Sequence, residues 1–178
     1  MPTPPMPPSS NYIPNIIIFG ETGCGKSSLI NLIAANTVAK TSSGAAGCTL
    51  DAKDYLVPIN EQKFRLWDTV GLNEPHMSAN DYLQAIGKAY DLIRRLQCTG
   101  GVALLMFCMR GGRITAAAES NFHLFYDILC KKEVPVALVL THLENEDRME
   151  DWWTNNNALF AKARMHSAGH ACITATPG

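Results

Sequence analysis

Residues Gly20-Glu21-Thr22-Gly23-Cys24-Gly25-Lys26-Ser27 spell G-x-x-x-x-G-K-S directly after the apolar run Ile16 to Phe19. A run without alternation predicts a strand buried on both faces, and Leu29, Ile30, Leu32 and Ile33 predict the apolar stripe of a helix beginning near Lys26. In that context the spacing has a mechanism. Glycines let the chain turn tightly so that successive N–H groups face an anion, and the helix N-terminus adds its positive dipole end. Lys26 is expected to reach the β and γ phosphates of a nucleotide and Ser27 to hold Mg²⁺, with Gly20, Glu21, Thr22, Gly23, Cys24, Gly25 and Ser28 completing the cradle. Cys24 reads as a packed thiol, with a redox-sensitive thiol beside phosphate as the alternative.

From Asn15 onward short apolar runs alternate with longer helix-like segments. This predicts a three-layer α/β/α domain, a mostly parallel six-stranded sheet with helices on both faces. Strands are expected at Tyr55 to Val57 and Phe64 to Trp67, paired around an Asn60-Glu61 turn, and at Val102 to Met109, Val136 to Leu140 and Ala171 to Ala175. Helices are expected at Tyr82 to Leu96, Glu119 to Leu129 and Trp152 to Met165. Tyr82, Ile86, Tyr90, Ile93 and Leu96 form the expected core stripe of the first of these. Trp152 and Trp153 cannot both face inward, which makes one of them a candidate contact point.

A phosphate loop alone leaves ATPases, kinases and GTPases open. Asp68-Thr69-Val70-Gly71 follows the strand Phe64 to Trp67 as D-x-x-G, where Asp68 is expected to bind Mg²⁺ through water and the Gly71 N–H to sense the γ phosphate. Thr49 ends the Gly-rich stretch Ser42 to Thr49 and is expected to give its hydroxyl to Mg²⁺ when a γ phosphate is present. Thr141-His142-Leu143-Glu144 stands where GTPases carry N/T-K-x-D, and Thr174-Ala175 where they carry S-A. Glu144 is then the acceptor for guanine N1–H and the 2-amino group, the Ala175 N–H meets O6, and His142 stacks on the base. Glu146 and Asp147 are alternatives to Glu144. Read singly, residues 141–144 also fit a capping turn and Thr174 a buried strand end. The cofactors implied are GTP or GDP with Mg²⁺. An ATP-using phosphotransferase would need a lid arginine set and an acceptor site that the sequence does not offer.

The 178 residues suit one domain, and the formal net charge of −1 gives no basic footprint for nucleic acid. No apolar run approaches the roughly 20 residues of a membrane span. Residues 1–13, rich in proline, read as a disordered lead-in without signal-peptide character, and 14–178 as the nucleotide-binding domain. Six cysteines, without C-x-x-C pairs or a His at metal spacing, read as reduced thiols of a cytoplasmic protein.

From Ile16 to Thr176 the chain resembles the septin-like branch of GTPases that contains the immune-associated nucleotide-binding proteins and the chloroplast import receptors, and is most similar to fungal members. The likeness rests on Gly20 to Ser28, Ser43 to Thr49, Trp67 to Leu72, the Gly112-Arg113-Ile114-Thr115 box and Thr141-His142. It implies slow intrinsic GTP hydrolysis, because Leu72 stands where many GTPases carry the water-orienting glutamine, and a homodimer meeting through the nucleotide faces. It equally admits a GTP-dependent assembly scaffold with little catalysis. Arg110, Arg113 and His76 are candidates to complete such a site, or ordinary surface residues. The resemblance further implies a closing helix after the last strand. Since the sequence stops at Pro177-Gly178, the domain is expected to be truncated there, with an apolar sheet face left open.

Overall fold

The computed structural model describes residues 12–35, 52–69 and 77–174. Thr49, Gly71, Leu72, His76 and Ala175 lie outside the described residues. The described chain runs β1 (Asn15–Phe19), α1 (Lys26–Ala34), β2 (Lys53–Ile59), β3 (Gln62–Asp68), α2 (Ala79–Gln97), β4 (Leu104–Arg110), α3 (Ala116–His123), a π-helical turn (Leu124–Leu129), β5 (Val136–Thr141), α4 (Met149–Lys162) and β6 (Gly169–Cys172). The six strands lie in the order β2-β3-β1-β4-β5-β6. Only the β2–β3 hairpin is antiparallel, because two residues, Asn60 and Glu61, suffice to reverse the chain, whereas a parallel return needs a crossover helix. The three-layer architecture read from the alternating pattern is therefore the one observed.

β1 is buried along its whole length and its side chains divide the core. Ile16 and Ile18 face α1, packing with Leu29, Ile30, Val57, Leu66, Cys108 and Val139. Ile17 and Phe19 face α2, α3 and α4, where Phe19 stacks on Phe125 at 4.4 Å and lies 5.1 Å from Phe107. Aromatic pairs of this kind add about 0.5–1.5 kcal/mol each beyond the area they bury. On the α1 side, toward β4 and β5, Leu104, Met106 and Ala137 are half-buried.

Four sequence expectations need correction. The helix expected at Glu119 to Leu129 is α3 followed by a π turn, closed by Cys130 N–H donating to Phe125 O at 2.9 Å. The wider turn accommodates Phe122 on Phe107 and Phe125 on Phe19 together. In α2 the buried positions are Ala85, Ala89, Leu92, Ile93 and Leu96, while Tyr90 is exposed and Tyr82 and Ile86 only border the core. Two alanines thus share the buried face with Leu92, Ile93 and Leu96, which ranking residues by apolar size misses. Leu32 of α1 likewise faces outward. Finally, β6 begins two residues earlier than expected and carries His170 and Cys172 on one face, a His–Cys spacing that the cysteine reading passed over.

Candidate functional site

The carboxyl ends of β1, β3, β4 and β5 converge at one edge of the sheet, where ligand crevices of open α/β sheets form. Between β1 and α1 the chain turns through Gly20, Gly23 and Gly25, with φ of 148°, 77° and 93°. At Gly20 the constraint is also one of space: a Cβ there would lie 2.0 Å from the Cys108 carbonyl oxygen of β4. α1 then starts with neither a side-chain cap nor an acidic residue in its first turn. The other described α-helices each have at least one: Ser78 and Asp81 form a capping box on α2, Thr115 caps α3, and α4 carries Glu150 and Asp151. The open N–H groups and dipole of α1 are thus left for an anion.

Lys26 curls back over the turn. Its ammonium donates to the carbonyls of Gly20 at 3.0 Å and Glu21 at 2.9 Å, and only 8% of the residue is exposed. Ser27 Oγ donates to Asp68 Oδ2 at 3.2 Å, setting two hard oxygens side by side beneath the turn, the donor type Mg²⁺ takes. Burial raises the Asp68 carboxyl above the usual carboxylate value, opposed by Lys26, Ser27 and Lys53. Thr69 secures the end of β3, its backbone N–H and hydroxyl both donating to Ile18 O.

Cys24 is packed, 2% exposed, as the sequence reading preferred. The adjoining Cys108 thiol and then the Lys26 ammonium draw its thiol below the ordinary value, against the effect of burial. The contact with Cys24 and burial push the Cys108 thiol well up.

Thr141 ends β5 fully buried, and its hydroxyl donates to Cys24 O at 2.7 Å. It therefore buttresses the phosphate turn from below. His142 follows in a left-handed conformation, φ 57°, with Nδ1 2.9 Å from Thr141 Oγ1. Leu143 is buried against Gly111, which leaves His142 and Glu144 exposed on the opposite side, together with Glu146 and Asp147. Ile173 N–H donates to Leu140 O, so Thr174 is brought alongside the end of β5.

Two further supports were not anticipated from sequence. Arg110 Nε, at the end of β4, donates to Gly23 O at 3.1 Å. Thr115 caps α3 through Ala118 N–H and donates to Glu21 Oε1 at 3.0 Å, which gives the Gly112–Thr115 box a structural purpose. Arg113 is exposed. Of the aromatic pair, Trp152 is buried and Trp153 is half-buried, stacked on His170.

The 50S ribosome-binding GTPase family matches residues 15–142, from β1 through Thr141-His142. The chain belongs to that family. GTPase Der of Campylobacter lari is 29% identical over 143 residues, covering 80% of this chain and 28% of Der. Among solved structures, Aquifex aeolicus Era bound to GDP·AlF4⁻ superposes with a TM-score of 0.69 at 18% identity, covering 92% of this chain and 51% of Era. Arabidopsis thaliana Toc33 with GDP and Mg²⁺ gives a TM-score of 0.64 at 18% identity, covering 92% and 71%. The GTPase domain thus spans about a quarter of Der and half of Era.

Proposed function

We propose that this GTPase domain, over residues 14–178, binds GTP and GDP with Mg²⁺ and hydrolyses GTP slowly, as a molecular switch or a dimerising GTPase. The observation that carries it is the uncapped start of α1 beneath a glycine turn, with the Lys26 ammonium and the Ser27–Asp68 oxygen pair at the same end of the sheet. The glycine-rich turn and Ser28 cradle the phosphates, Lys26 neutralises the β and γ oxygens, and Ser27, Asp68 and Thr49 hold the metal. Mg²⁺ bound there supplies charge stabilisation on the phosphates. His142, Glu144, Thr174 and Ala175 form the guanine pocket, and Gly71 senses the γ phosphate.

Within the family, the Gly112–Thr115 box and Thr141-His142 support a place in the septin-like branch. The fold likeness, shared by Era and Toc33, is to the GTPase fold as a whole. For the chloroplast translocon components Toc33 and Toc159, dimerisation is important for GTPase activity, and a facing copy is the partner proposed for this chain. Era has been solved with 16S ribosomal RNA; the net charge of −1 favours no such partner here. Among the described residues no helix is long and apolar enough to cross a membrane, and the described cysteines are free thiols; the setting proposed for the chain is the cytoplasm.

The deciding experiment is nucleotide content and turnover of the purified chain with GTP and ATP side by side, repeated with Lys26→Ala. Binding of GTP in preference to ATP, lost in a folded Lys26→Ala variant, is expected. Unchanged GTP affinity in that variant would overturn the assignment. The second reading, an assembly scaffold with little catalysis, is favoured by Leu72 at the water-orienting position. It predicts particle growth with GTP over GDP and no measurable turnover.

A further inference from the structure

At the outer edge of the sheet, away from the phosphate turn, α4 and β6 bring together three side chains of different chemistry. His170 and Cys172 are two apart on β6, so both project toward α4 while Ala171 takes the other face. Glu150, in the first turn of α4, reaches the same point, its Oε1 in contact with His170 Nε2. One imidazole nitrogen, one thiol sulfur and one carboxylate oxygen all lie within 4.8 Å of one another. The His170 ring is held in place, because the Trp153 indole stacks on it with centroids 4.1 Å apart and planes 14° from parallel. The cluster is reachable from solvent, the side chains of His170 and Glu150 being 27% and 54% exposed.

We propose that Glu150, His170 and Cys172 form a binding site for a divalent transition-metal ion of the zinc type, using none of the residues assigned to the nucleotide. Thiolate, imidazole and carboxylate are the ligands Zn²⁺ takes, and three of them with a water complete a tetrahedron. The sulfur selects against Mg²⁺ and Ca²⁺, which take oxygen. With metal–ligand bonds of about 2.0–2.3 Å, tetrahedral ligands sit roughly 3.3–3.8 Å apart. Reaching that geometry from spacings of up to 4.8 Å takes shifts of about 1 Å, and the exposed Glu150 carboxylate, in direct contact with His170 Nε2, draws back from it to admit the ion. The Glu150 carboxylate already takes both partners, pairing with His170 and accepting from the Cys172 thiol, so the three donor atoms are gathered on one point before any ion arrives. β6 has four residues and pairs only with β5 among the described strands, so an ion here ties the outermost strand to α4.

The test uses the full chain, free of affinity tag, in a thiol-free reductant. Excess Mg²⁺ keeps the Ser27–Asp68 oxygens out of the titration. One equivalent of Co²⁺ should produce visible d–d absorption and a near-ultraviolet sulfur-to-cobalt band, both removed by Zn²⁺. The sulfur band should vanish in Cys172→Ser, and His170→Gln and Glu150→Gln should weaken Zn²⁺ binding at least about tenfold. Zn²⁺ should also raise the Tm of the wild-type chain and shield Cys172 from iodoacetamide while exposed Cys98 keeps reacting. This alkylation readout needs no variant, so a misfolded mutant leaves the test intact. Alkylation of Cys172 unaffected by Zn²⁺, or a sulfur band that persists in Cys172→Ser, would overturn the site.

Discussion

The Thr141 hydroxyl donates to the Cys24 carbonyl at 2.7 Å, joining two residues 117 positions apart and tying the end of β5 to the phosphate turn. Cys108 Sγ approaches the same carbonyl at 3.2 Å. Thr141 thus acts on the phosphate side of the crevice although it opens the segment read as guanine-specific. Thr141→Val keeps the shape and removes the donor, leaving a buried carbonyl with a weak thiol partner. The expected cost is about 1–2 kcal/mol of stability, with GTP and ATP affinity falling by the same factor. Thr141→Ser should restore both. Equilibrium unfolding and parallel nucleotide titrations check it, and a loss confined to GTP would return Thr141 to the base pocket.

Glu144→Ala should behave oppositely. The carboxylate is exposed on the side of the turn away from Leu143, so its removal costs little stability. Loss of an ionised acceptor for two guanine donors is worth about 1.5–3 kcal/mol, or roughly 10- to 100-fold in GTP affinity. ATP offers no matching donors and should lose nothing. Equal losses for both nucleotides would move the base site, with Asp147 and then Glu146 as the next carboxylates to substitute.

Legibility of the sequence followed the range of the interactions. Ile16 to Ser27 was readable because strand, glycine turn and helix start are consecutive, so each constrains the next. The Asn60-Glu61 hairpin was readable for the same reason. Arg110 on Gly23 and Thr115 on Glu21 are side-chain bonds across 87 and 94 positions, and nothing local in either residue announces them. The π turn was hidden because Phe122, Phe125 and Leu129 also fit an α-helical stripe, and only packing against Phe19 and Phe107 selects the wider turn. His170 and Cys172 carried a usable signal, since alternate residues of any strand share a face. The apolar run that marks the strand in the sequence begins only at Ala171, which leaves His170 outside it, whereas the strand itself starts at Gly169.

Glycine-to-alanine substitution should change sign between two positions. At Gly20, φ is +148° and the new Cβ meets the Cys108 carbonyl oxygen at 2.0 Å, a backbone atom that cannot rotate aside. Gly20→Ala should cost more than about 3 kcal/mol and abolish nucleotide binding. At Gly87, inside α2, nothing lies within 4 Å of the added carbon. Gly87→Ala should stabilise by about 0.5–1 kcal/mol. Denaturant midpoints for both variants decide the matter, and a tolerated Gly20→Ala would mean that the β1 turn is not as closely applied to β4 as described.

Catalysis is expected to be slow in the isolated chain, about 10⁻⁴ to 10⁻² per second, the range of GTPases without an activating partner. The reason is Leu72. A leucine cannot accept a hydrogen bond from the attacking water, so Lys26 and the metal stabilise charge without aligning the nucleophile. Leu72→Ala should therefore alter turnover only slightly. Arg110 is engaged with Gly23 O on its own phosphate turn, whereas Arg113 is exposed and therefore accessible to a second copy. Turnover per molecule should rise with protein concentration, and Arg113→Ala should remove that rise while leaving the dilute rate unchanged. Arg110→Ala should instead weaken nucleotide binding at every concentration, by a few-fold at most, since an exposed charge-assisted bond contributes about 1 kcal/mol or less. Rates constant per molecule over a wide concentration range would exclude activation by a second copy. A fast rate in the dilute chain would overturn the argument from Leu72 and make His76 the first residue to substitute.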